Sequence, residues 1–189
     1  MSDVNHFEIR SRVLTVEQAN SSTDFYEHVE DDTVPIGMEI WVDGNQIKEG
    51  VAVDLLGLLD TTHKLRQSVW KTYWGPNIFT CGCGDPGCAD INDAIEVSHE
   101  GPLVIWRASM PLVIKRRSAA CPHGEVTTFR FLKTQMVEQC QGFVSTARVV
   151  SGRKLSRVLV PVHKESLDSL LRKSRFKWAR KEVGMERLG

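Results

Sequence analysis

Three of the five cysteines stand within eight positions, at Cys81, Cys83 and Cys88, in the run Phe79-Thr80-Cys81-Gly82-Cys83-Gly84-Asp85-Pro86-Gly87-Cys88-Ala89. The spacing is C-x-C-x4-C. Thiolate sulfurs bind zinc tetrahedrally at about 2.3 Å, so pointing three of them at one ion within so short a segment requires tight backbone turns. Gly82, Gly84 and Gly87 allow positive φ at little cost, and Pro86 fixes a turn corner. Backbone amides in such a turn are expected to donate to the sulfurs and offset their charge. Three ligands leave a fourth place. Cys121, in Cys121-Pro122-His123-Gly124, is the first candidate and His123 the alternative. Cys140 falls on the apolar stripe of an expected helix and reads as a core thiol, and His99 reads as solvated at a hairpin tip. Three thiolates leave a metal little Lewis acidity, so the expected zinc is structural. The competing readings are a metal-free cysteine cluster or a redox pair. Cys81 and Cys83 are too close in sequence for an easy disulfide, and Cys83 with Cys88 could form one.

Other chemistries find less support. His123-Gly124-Glu125 matches the H-x-E half of a zinc deaminase signature, but the cysteine cluster lies upstream and no P-C-x-x-C follows. A zinc-dependent hydrolase or deaminase therefore stays a third reading. No P-loop, G-x-S-x-G elbow or H-E-x-x-H is present. The segment Arg172-Lys173-Ser174-Arg175-Phe176-Lys177-Trp178-Ala179-Arg180-Lys181 interleaves bases with two aromatics, and Lys115, Arg116 and Arg117 form a second basic run. Cations with rings can pair with phosphates and stack on bases. On a helix, however, Trp178 joins Leu167 and Leu171 on one apolar side, which explains the aromatics by packing alone.

These residues need a scaffold. The 189 residues are 41% hydrophobic and 25% charged, ordinary for a globular chain long enough to bury a core. Net charge is zero but polarised: residues 1–60 carry thirteen acids against three bases, and residues 152–189 carry eleven bases against four acids. No apolar run approaches the roughly 20 residues that span a bilayer, and the N-terminus shows no secretion signal. A cytoplasmic, reducing setting is expected, with no membrane partner.

Periodicity predicts strands over 6–16 and 36–42, with Asp43-Gly44 turning into Gln46-Ile47. Residues 20–35 read as a polar loop. One apolar stripe from Val51 to Tyr73 predicts a helix ended by Gly75-Pro76. Strands are predicted over 93–98 and 103–109, with 99–102 as the tip, and over 126–131. A helix carrying Leu132, Met136, Cys140, Phe143 and Val144 follows, then a strand over 155–162 and an amphipathic helix over 165–181. The fold class is α+β: a mixed, mostly antiparallel sheet with hairpins, two to three helices and a zinc knuckle. Three segments are expected: an acidic N-terminal strand and loop (1–35), an α+β core with the knuckle (36–150) and a basic extension (151–189).

Cys81-Gly-Cys83-Gly-Asp-Pro-Gly-Cys88 resembles the post-SET zinc loop of lysine methyltransferases, in which a fourth cysteine comes from elsewhere. The likeness covers about ten residues, and the Asn-His-Ser pattern of the SET core has no counterpart here. Over residues 36–145, the order of hairpin, apolar helix past Trp70, CxCGxxxCA, strand pair with Trp106, and Phe129-Arg-Phe131 looks like a group of small bacterial and phage proteins. That resemblance implies a bacterial or phage origin and an α+β fold, and no activity. The expected function is a non-enzymatic, zinc-stabilised module that binds a protein, of the inhibitor, immunity or assembly type. The alternative is nucleic-acid binding through the basic C-terminal segment.

Overall fold

The computed structural model describes residues 4–25, 28–47, 51–62, 78–84, 95–108 and 127–172. Among these, mixed sheets with hairpins combine with four helices in an α+β arrangement. The first sheet is built on β2 (Val34–Val42), which pairs antiparallel with β1 (Phe7–Val13) and with β3 (Asn45–Ile47). Ile36, Met38, Ile40 and Val42 are buried while Glu39 and Trp41 are half-exposed, the period-two alternation of a strand with one face on the core. The β2–β3 turn is the expected one. Asp43 (φ 50°) and Gly44 (φ 78°) are both left-handed, as a two-residue turn matched to strand twist requires.

A free strand edge needs partners for its outward N–H groups. On β1 two come from helix α3 (Lys133–Val150): Gln135 Oε1 accepts from Phe7 N (3.2 Å) and Gln139 Oε1 from Ile9 N (3.0 Å). Spacing of four places both amides on one helix face. Met136, Cys140, Phe143, Val144 and Ala147 form the buried stripe of α3, as expected for the core thiol Cys140. Its first N–H, on Lys133, donates to Pro102 O (2.9 Å). At its C-terminus Gly152 (φ 60°) donates to Val149 O and Arg153 to Arg148 O, closing a Schellman motif.

A second sheet is the meander of β6 (Glu96–Glu100), β7 (Leu103–Ala108) and β8 (Thr127–Leu132). Glu100 pairs with Leu103 around Gly101-Pro102, so His99 lies within β6 opposite Val104 and not at the tip expected from the sequence. Gly101 adopts φ 57°, which makes it the turn residue and moves the tip toward the C-terminus. The two sheets meet through aromatic rings: Phe7, Trp106 and Phe131 are fully buried and stack edge-on, centroids 5.0–5.9 Å apart. Asn5 ties the same seam, exchanging hydrogen bonds with Arg130 and donating from its amide to Asp43 Oδ2 (2.7 Å).

Several expectations are corrected. Residues 16–20 form a short helix, α1 (Val16–Asn20), held by a reciprocal Thr15–Gln18 capping box. The predicted helix from Val51 begins instead at Leu55. Ala52–Val53 is strand β4, paired with β5 (Phe79–Thr80), and Asp54 caps α2 (Leu55–Thr61). The predicted strand over 155–162 shrinks to β9 (Val158–Leu159), parallel to Val34–Pro35. A 3₁₀ turn (Leu155–Arg157) precedes it, and Val162 at φ 74° lies beyond it. Helix α4 spans Leu167–Arg172. Leu155, Val158, Leu167 and Leu171 belong to the same buried cluster as Phe7 and Ile36, so chain ends of opposite charge share one core.

Candidate metal centre

The β4–β5 ribbon carries the first half of the cysteine cluster. Val53 pairs with Phe79 and Ala52 with Thr80; Asp54 N donates to Ile78 O (2.8 Å). Ile78, Phe79 and Thr80 are buried, which anchors the strand that enters the knuckle. Thr80 Oγ1 and Gly84 N both donate to Cys81 O (2.9 Å each), folding Cys81–Gly84 into a tight turn. Gly84 takes φ 84°, as the glycine spacing led us to expect. Gly82 does not adopt a positive φ.

Gly82 serves close approach instead. Its N–H donates to Thr23 O (3.0 Å), and a Cβ at this position would collide with Thr23 O and come within 2.9 Å of two Asp24 backbone atoms. A Cβ on Gly84 would meet Val162 Cγ1 at 3.2 Å, and Val162 N in turn donates to Asp24 O (3.3 Å). The turn is thereby clasped between residues 23–24 and Val162, one contact from each oppositely charged end of the chain. The Gly82 and Gly84 amides are spent on backbone oxygens, so the expected donation to sulfur is not made by these two groups.

The Cys81 and Cys83 sulfurs are in bonding contact, paired as a disulfide. This overturns the expectation that Cys81 and Cys83 are too close in sequence for an easy disulfide. The physical reason is the turn, which sets the two Cα atoms 5.4 Å apart, inside the roughly 4.4–6.8 Å span that disulfides use. Cys83 is exposed and Cys81 half-buried. Once reduced, the same two side chains would be thiolates, the donor type that zinc takes. The other expected donors, Cys88, Cys121 and His123, lie outside the described residues, as do Lys115, Arg116, Arg117, Lys173, Arg175, Lys177, Arg180 and Lys181. Among the described residues no group of three or more histidine, cysteine or acidic side chains is placed to hold a metal.

Two residues beside the knuckle escaped the sequence reading. His163 Nε2 donates to Asp54 Oδ1 (2.9 Å), the same oxygen that accepts from Leu56 N and Gly57 N. Asp54 had a legible signal, an acid directly before the apolar run Leu55-Leu56; His163 had none, because its partner lies 109 positions away. Arg172, from the basic segment, is described and bonds Asp168 (2.8 Å) one helical turn earlier.

No protein-family model, curated protein or solved structure matches the chain. No helix among the described residues is long and apolar enough to cross a membrane.

Proposed function

We propose that the chain is a non-enzymatic protein-binding module stabilised by a structural zinc ion, held by Cys81, Cys83, Cys88 and Cys121, with His123 as the alternative fourth ligand. The observation that supports this reading is the clasp around Cys81–Gly84. Thr23 and Asp24 close on the turn through their backbone and Val162 through its Cγ1, so an ion bound there would sit where distant parts of the chain meet. That is the place for a structural metal, whose binding free energy becomes folding free energy. Partner binding is the role left to such a scaffold. Polarised charge suits steering toward an oppositely charged protein, and Val149, 79% exposed and followed by exposed Arg153 and Lys154, offers an apolar point close in sequence to basic side chains.

The test joins metal content to partner recovery on one preparation. The expected result is near one zinc per chain, a lower melting temperature in chelator, and recovery of a protein partner that survives nuclease and weakens in Val149→Glu. An unchanged melting temperature in chelator contradicts the structural metal. Recovery abolished by nuclease contradicts the protein partner.

A second reading, nucleic-acid binding, draws on one feature: residues 139–164 hold five lysines and arginines and no acid, with Arg153 and Lys154 exposed. A mobility shift that fades steeply with salt would favour it.

A further inference from the structure

We propose that Cys81 and Cys83 are a redox latch on the metal, holding zinc as thiolates and releasing it when a peroxide oxidises them to the disulfide. This rests on the zinc reading above and adds to it a modification site and a substrate class, hydrogen peroxide or an organic hydroperoxide.

Three observations carry it. The structure pairs these two sulfurs, so the linked form is already compatible with the fold. Cys83 is exposed and Cys81 half-buried, which gives an oxidant one accessible sulfur and a resolving sulfur behind it. Three bonds at the clasp join backbone groups: Gly84 N donates to Cys81 O, Gly82 N to Thr23 O, and Val162 N to Asp24 O. The turn therefore keeps its backbone whether the sulfurs hold an ion or each other.

The chemistry balances. The Cys83 thiolate attacks one peroxide oxygen, the O–O bond breaks, and a sulfenic acid and hydroxide form. The Cys81 thiolate then attacks the Cys83 sulfur, the S–O bond breaks, and a second hydroxide leaves. Two thiolates lose two electrons, the peroxide gains them, and two protons from solvent turn the hydroxides into water. The zinc ion, deprived of two ligands, goes to solvent. A dithiol reductant reverses the step by exchange through a mixed disulfide.

The test uses the full chain, reduced and zinc-loaded, titrated with hydrogen peroxide. Released zinc is read with a chromogenic chelator, and remaining thiols are alkylated before peptide mass analysis. The expected result is one zinc released for every two thiols lost. The peptide should be two mass units lighter with Cys88 alkylated, and dithiothreitol should restore zinc binding. Cys88→Ser should form the same link, which keeps the test independent of full metal affinity. Zinc retained at saturating peroxide, a link that includes Cys88, or sulfinic acid at Cys83 in place of the link each overturns the latch. A reduced protein that binds no zinc at all overturns the proposed function itself, and is told apart by the metal reading before peroxide is added.

Discussion

Gly82 and Gly142 have the same side chain and opposite prospects. A methyl group on Gly82 runs into the Thr23 and Asp24 backbone, atoms that cannot swing aside. Overpacking of this kind costs about 1–3 kcal/mol. Gly82→Ala should therefore lower the unfolding free energy measured in urea by that much and raise protease cutting near residues 20–25. Gly142 lies inside α3 with nothing within 4 Å of its added Cβ, so Gly142→Ala should stabilise the protein by roughly 0.5–1 kcal/mol in the same assay. Equal effects from the two would mean that Gly82 is not clasped. A gentler residue-scale case is Arg10, whose guanidinium carbon sits 3.7 Å from the Trp41 ring centroid while its Nε donates to Glu8 (2.8 Å). The hydrogen bond from Arg10 holds the Glu8 carboxyl below the ordinary carboxylate range. A lowered folded-state value gives stability that is present above the unfolded value and lost as pH falls through the folded one. Solvent screens the exposed pair, so Arg10→Ala should leave the neutral-pH melting temperature nearly unchanged, as differential scanning fluorimetry would show.

At the scale of elements, the Gln135 and Gln139 amides stand where another strand would otherwise pair with β1. Removing one acceptor strands a part-buried N–H, at about 1–3 kcal/mol. Gln139→Ala should lose stability in that range and speed amide exchange at Ile9. Exchange at Ile9 that is no faster than in the native chain would show that the helix does not seal this edge. These elements were unevenly legible. The Asp43-Gly44 turn and the stripe of α3 rest on local rules, two left-handed residues and a helical period, and the structure repeats both except at Leu132, which is expected in the helix but ends β8 and is exposed. The Val51 boundary failed because the stripe cannot distinguish a helix residue from a two-residue strand whose partner, Phe79–Thr80, lies 26 to 28 positions away. The strand expected over 155–162 failed for a related reason. Val158–Leu159 pair with Val34–Pro35, and the apolar residues around them are buried by α4 and the core, not by a longer ladder.

Across the whole molecule, the acidic front and basic end contribute to one core and touch the two sides of the same turn. No local pattern announces that arrangement, since Thr23, Asp24 and Val162 carry no motif and meet Gly82 and Gly84 only through the fold. The cysteine spacing alone pointed to the turn, and the glycines to its tightness. Which glycine serves φ and which serves proximity became legible only with the neighbours in place. A structural zinc at this joint predicts a global consequence from a local change. Cys83→Ser should lower the melting temperature of the entire chain in one cooperative step. A loss confined to exchange near the knuckle would argue against coupling between the joint and the core.

The most direct test of that account is X-ray absorption at the zinc edge on the reduced, zinc-loaded chain. The prediction is a first shell dominated by sulfur, three or four scatterers at about 2.3 Å. A shell of nitrogen and oxygen alone would contradict it, because the metal would then be held by something other than the cysteines.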